Sequence, residues 1–157
     1  MNIDLIVVGK TDAAPVAALV EMYLKRLNFY TKTTLITLPD LKNTRNLAAS
    51  SQKRQEGEML LRQFGEGDCV VLLDEKGEQM RSVDFAVWLQ KRMNSGLRRL
   101  CFVIGGPYGF SEAVYARADG KLSLSSMTFS HQIIRAIFAE QLYRAFTIIR
   151  NEPYHHE

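Results

Sequence analysis

Leu100-Cys101-Phe102-Val103-Ile104-Gly105-Gly106-Pro107-Tyr108-Gly109 is the stretch on which the reading of the fold turns. The first five residues are a continuous apolar run, the pattern of a strand buried on both faces. Three glycines in the next five positions remove Cβ atoms that would hold a ligand away from the backbone, and they permit positive φ. Pro107 fixes part of the bend. Ser111-Glu112 follows as a helix start with Ser111 as N-cap. In an α/β sheet, a loop just past the carboxyl end of a strand is where ligands are commonly held. The loop is a candidate small-molecule site, with no chemistry yet attached to it.

Outward from this loop, strands and helices alternate. Ile3 to Val8 reads as a first strand. Val16, Leu19, Val20, Tyr23, Leu24 and Leu27 recur at helical spacing, with Pro15 suited to a first turn. Thr34 to Leu38 is a second strand, ended by Pro39-Asp40. Leu47 to Phe64 is a polar helix with a thin apolar face, which suits a partly exposed element. Cys69 to Leu73 is a third strand, followed by a turn at Asp74-Glu75-Lys76-Gly77. Ser82 caps a helix that ends near Gly96; a short helix spans Glu112 to Ala118, and Leu122 to Leu124 is a brief fifth strand. A last helix from about His131 to Arg150 carries Ile134, Ile137, Phe138, Leu142 and Phe146 on one side. The alternation predicts an α/β fold, a parallel sheet covered on both faces, in one domain over residues 1–157.

Composition narrows the class. A chain of 157 residues with 46% hydrophobic and 24% charged residues is long enough to bury a core and ordinary for a globular protein. No apolar run approaches the roughly 18 residues of a membrane span. The start, Met1-Asn2-Ile3-Asp4, has a carboxylate where a signal peptide needs basic residues. Cys69 and Cys101 sit in apolar runs without Cys-x-x-Cys spacing, and read as buried free thiols in a reducing compartment. A cytoplasmic location is expected. The net charge of +3 leans basic, but Lys53-Arg54 and Arg98-Arg99 serve equally well as solvated faces.

Three loops follow carboxyl ends of strands and converge at one sheet edge: Leu73-Asp74-Glu75, Gly105 to Gly109, and Leu124-Ser125-Ser126-Met127-Thr128-Phe129. The third mixes small hydroxyl residues with Met127 and Phe129, the mixture a nucleoside-like ligand needs. Each loop alone is explained as a plain strand-to-helix connection; their convergence favours a pocket. Gly-x-x-x-x-Gly-Lys-[Ser/Thr] and Gly-x-Gly-x-x-Gly are both absent, which argues against a P-loop and a dinucleotide site. His131, His155 and His156 form no zinc set with the two cysteines, so no metal is expected. Neither serine-rich segment is a nucleophile elbow.

His131 precedes Arg135 by four residues, so both can project on one helical face beside the Leu124–Phe129 loop. Arg144 lies further along. Structural capping explains His131 and surface solvation explains the arginines, if each is taken singly. Pro153-Tyr154-His155-His156-Glu157 has the composition of a frayed end, although Tyr154 and the histidines could stack on a nucleotide.

Taken together, Leu5-Ile6-Val7-Val8-Gly9-Lys10, Val103 to Gly109, Leu122 to Phe129, His131-Gln132, Glu140-Gln141-Leu142-Tyr143-Arg144-Ala145 and Tyr154-His155 make the whole chain resemble the RlmH family. These are small SPOUT-class enzymes that methylate N3 of a pseudouridine in bacterial 23S rRNA. The resemblance implies a SPOUT fold with a C-terminal trefoil knot and S-adenosylmethionine as methyl donor. It implies a donor site at Leu73, Gly105, Gly106, Leu124, Ser125, Ser126, Met127, Thr128 and Phe129. It also implies a homodimer in which the second subunit's tail completes the active site, with His131, Arg135, Arg144, Tyr154 and His155 around the target base. Two positions depart from the family pattern: Ser130, where relatives often have Pro, and His156, where they often carry Arg or Lys. The rival readings are a non-enzymatic RNA-binding module of the same fold and a flavodoxin-like phosphate binder.

Overall fold

The computed structural model describes residues 1–156. Five strands, β1 (Asn2–Val8), β2 (Thr33–Leu38), β3 (Cys69–Gln79), β4 (Arg99–Ile104) and β5 (Gly120–Ser123), alternate with helices α1 (Ala14–Leu27), α2 (Ala49–Leu61), α3 (Ser82–Asn94), α4 (Glu112–Arg117) and α5 (Ile133–Ile149). They form one sheet in the order β2-β1-β4-β3-β5. Every pairing is parallel.

Period-2 side-chain alternation sorts the apolar residues of the central strands onto two faces. Ile3, Leu5, Val7, Phe102 and Ile104 pack with α1, α3 and α5 around Phe85, Phe138 and Phe146. Ile6, Val8, Cys101 and Val103 pack with α2 and α4 through Leu60 and Val114. Phe102 and Phe138 meet at 4.6 Å between ring centroids, at the centre of the first layer. Burial of such a ring contributes about 1.5–3 kcal/mol. At the amino edge of the sheet, Arg99 holds Asp4 and Asp68, each at 2.6 Å.

Several element ends differ from the sequence reading. Asp74 to Gly77 is an excursion inside β3 and not a terminal turn: Leu73 and Glu78 both align with Leu122 of β5. A Cβ on Gly77 would lie 2.6 Å from the Leu122 backbone, so the return of the strand requires glycine there. Ser82 is the first residue of α3, not its cap; its hydroxyl donates to Gln141 Oε1 at 2.9 Å and ties α3 to α5. Helix α5 begins at Ile133, whose N–H donates to Ser130 Oγ at 3.2 Å.

The chain end does not fray as expected. Tyr154 packs edge-on against Tyr143 at 4.8 Å, and its hydroxyl donates to Glu140 Oε1 at 3.0 Å. Arg144 lies over the same ring and reaches both Glu140 and His155. An aromatic tail lying on an aromatic helix face gains enough contact to be held in place.

Candidate active site

A cavity of about 600 Å³ opens at the carboxyl edge of the sheet. All three loops singled out above wall it: Leu73 to Lys76, Ile104 to Phe110, and Leu122 to Ile134 apart from Ser126, Gln132 and Ile133. Its size suits a nucleoside-containing ligand, and its wall mixes apolar Leu73, Leu124 and Phe129 with hydroxyl and backbone groups. Of the nine residues expected to hold a donor, Leu73, Gly105, Gly106, Leu124, Ser125, Met127, Thr128 and Phe129 line it; Ser126 does not.

The wall is built by local bonds. Ser125 Oγ accepts from the Met127 N–H at 2.9 Å, and Ser123 Oγ donates to the Ser125 carbonyl at 2.9 Å. Thr128 Oγ1 meets Glu75 Oε2 at 3.2 Å, joining the third loop to the β3 excursion. Tyr115 bonds Asp74 across the cavity rim, and burial with that carboxylate pushes its phenol up to about 12.

The glycines serve a different purpose from the one the sequence suggests. A Cβ on Gly105 would press on the Phe110 ring at 3.1 Å. One on Gly106 would lie 2.5 Å from Glu56 Oε2. Gly109 is the conformational glycine: at φ +78° it closes the turn by donating its N–H to the Gly106 carbonyl. The missing Cβ atoms of Gly105 and Gly106 therefore admit a ring and a carboxylate from behind the loop.

The five residues expected around a target base divide into three places. His131 lines the cavity. Arg135 does not face it. Its side chain is fully buried, with Nη2 donating to the Val8 carbonyl at 2.7 Å and Nη1 to Gly9 at 2.8 Å and Thr11 Oγ1 at 3.0 Å. Its Nε returns to the His131 carbonyl at 2.9 Å. The four-residue spacing is right, but that face of α5 turns into the sheet edge, so the expected projection toward RNA is corrected to a clasp on the end of β1.

Arg144, Tyr154 and His155 form the third group. Arg144 is ten residues beyond Ile134 of the cavity wall, roughly 15 Å along the helix axis. None of the three lines the cavity. Nε2 of His155 is buried without a hydrogen-bond partner among the described residues. Burial, and then bonds to Tyr23 and Glu140, raise the Tyr154 phenol above its ordinary value.

Little in the sequence singles out Glu56. It lies in the polar segment read as a partly exposed helix, yet it is 4% exposed. The one signal is its neighbour Gly57, where a Cβ would meet Ser111 Oγ at 2.3 Å: a glycine inside a helix marks close approach to another element.

Among the described residues, no helix is long and apolar enough to cross a membrane. Residues 1–155 match the family model described as "Predicted SPOUT methyltransferase". A protein of Flavobacterium johnsoniae named ribosomal RNA large subunit methyltransferase H is 57% identical over 100% of both chains. Proteins with the same name from Christiangramia forsetii, 58% identical over 99% of both chains, and Parabacteroides distasonis, 54% identical over 100% of both, align equally fully. Matched along residues 1–155 by the family model and end to end by these relatives, the chain belongs to the SPOUT methyltransferase family.

Proposed function

We propose that this chain, as one SPOUT domain, transfers a methyl group from S-adenosylmethionine to N3 of a pseudouridine in bacterial 23S rRNA. In this reading it acts in the cytoplasm on the assembled ribosome, as a homodimer. The large-subunit rRNA substrate is what the relatives' names carry. The observation that carries the reading is the coincidence of eight family donor positions with one cavity, while the tail group lies outside it. A site that needs both groups needs a second copy.

Leu73, Gly105, Gly106 and Leu124 to Phe129 would hold the donor, and the cavity's mixed wall fits it. When bound, the donor supplies a sulfonium methyl already activated for in-line transfer. The protein's work is then orientation and handling of the N3 proton. His131, which lines the cavity, would serve that step. Arg144, Tyr154 and His155 would come from the partner, with Glu140 fixing Arg144 at 2.6 Å. A trefoil knot is part of the proposal. Its support is the crossing of the segment after β5 back past the carboxyl ends of β3 and β4 to β1, where Gln132 bonds Lys10 and Asp12.

The test combines calorimetry with S-adenosylmethionine and methyl transfer to ribosomes lacking the modification, mapped by mass spectrometry. Donor binding and one new methyl-pseudouridine are expected. RNA binding without donor binding would establish the non-enzymatic alternative, and transfer to a different base would refute the substrate.

A further inference from the structure

Glu56 is a carboxylate hidden directly behind the wall of the cavity. Gln52 donates to its Oε1 at 3.0 Å, while Oε2 has no hydrogen-bond partner among the described residues. The carboxylate fills the side-chain space of Gly106, within 2.5 Å of where that Cβ would stand, and Gly106 lines the cavity. A single glycine's backbone is thus the spacer between this buried oxygen pair and whatever the cavity holds.

An ionised carboxylate with a bare oxygen is costly in so dry a place. Burial pushes Glu56 up; the Gln52 bond opposes that, Asp40 adds to it, and His131 opposes it. Those are the groups that face it: Gln52 on its own helix, Asp40 after β2, His131 before α5. The glycine loop offers only uncharged backbone, and Lys53 of the same helix is on the cavity wall. Gly106 is thus the point at which a cation in the cavity would come nearest the bare Oε2.

We propose that Glu56 senses the charge of the ligand in the cavity, ionising when a sulfonium occupies it and regaining a proton when a neutral thioether replaces it. This rests on the donor reading above and adds a residue that sets donor-over-product preference. In the transfer, the S–CH3 bond breaks with its electron pair left on sulfur, the N3–CH3 bond forms, and the N3 proton passes to solvent water. The cavity thereby loses the sulfonium's positive charge, and Glu56 takes up one proton from solvent in compensation.

Calorimetry of S-adenosylmethionine and S-adenosylhomocysteine, in buffers of different ionisation enthalpy between pH 5.5 and 7.5, tests this. The sulfonium ligand is expected to release a proton on binding and to gain about tenfold in affinity as pH rises. The thioether is expected to release none and to change less than about twofold. Glu56→Gln keeps the side-chain volume. It should abolish the proton release and cost the sulfonium ligand about tenfold while sparing the thioether. His131→Asn should retain the release. A preference that is flat with pH in the unmodified protein, or one that persists in Glu56→Gln, overturns the inference while leaving donor binding intact. If Glu56→Gln does not fold, proton release and the pH-dependent ratio in the unmodified protein decide. Failure of either ligand to bind at all removes the donor reading and this inference with it.

Discussion

Nη1 of Arg135 donates to the Gly9 carbonyl at 2.8 Å, fastening the first turn of α5 to the end of β1 across 126 residues of chain. The same guanidinium satisfies Val8, Thr11 and His131. Burial pulls its pKa below the ordinary arginine value, while Asp12 and Asp40 pull the other way. A charge held by backbone carbonyls in this way is structural, and removing it strands several buried acceptors.

Arg135→Ala is accordingly expected to destabilise the protein by about 3–5 kcal/mol. Arg135→Lys should fall between, since one ammonium cannot serve the same fork of acceptors. Urea unfolding followed by circular dichroism measures both. A variant of unchanged stability that has lost methyl transfer would return Arg135 to the RNA-facing role.

Gly106→Ala places a Cβ in the space of the Glu56 carboxylate. The carboxylate must shift and give up its bond from Gln52, so the substitution should cost about 1–3 kcal/mol. In a Glu56→Ala background the space is vacant and most of that cost should vanish, a coupling of about 0.5–3 kcal/mol in a double-mutant cycle. Additive effects would mean that the glycine is required for something other than Glu56.

The chain declares its layers clearly and its site only in part. Unbroken apolar runs at Leu5 to Val8 and Leu100 to Ile104 are unmistakable, because a two-sided buried strand leaves no polar position. The glycine loop is equally visible, but what fills the missing Cβ positions is a tertiary fact: Phe110 and Glu56 come from different elements. Arg135 shows the same limit. Periodicity says which residues share a helix face, not whether that face meets water or the end of a strand. The tail misleads for a simpler reason, since Tyr154 and His155 read as a loose end until Tyr143 and Arg144 are brought beneath them.

Alkaline pH should weaken the fold. Burial pushes the Cys101 thiol up to about 12, and Tyr115 is likewise held at about 12. Groups whose folded values lie above their unfolded ones contribute full stability below the unfolded values, about 8.5 for Cys and 10 for Tyr. That contribution is lost as pH rises toward 12. Stability should therefore be flat from pH 7 to about 8.5 and fall steadily above it. Cys101 should also resist alkylation at pH 8 in the folded protein, with a thiolate fraction of about one in 10⁴. Urea midpoints across pH 7–11, with iodoacetamide labelling, check both, and prompt labelling of folded Cys101 would contradict the burial.

The sharpest test of a shared site uses the distance between the two groups. Truncation before Tyr154 removes the partner of Glu140 and Tyr143 but touches nothing on the cavity wall. Donor affinity and dimer formation should survive, with transfer reduced at least about 100-fold, the scale of a lost proton-handling group. A Gly106→Val subunit has the complementary defect, because its branched side chain drives Glu56 out of place and distorts the donor wall. Neither homodimer should transfer methyl groups. Mixed dimers contain one site that joins an intact wall to the partner's intact tail, so co-refolded or co-expressed mixtures should regain up to about a quarter of normal activity, half the dimers having one good site of two. If mass spectrometry confirms heterodimers and activity stays absent, the tail serves its own subunit and the composite arrangement is wrong.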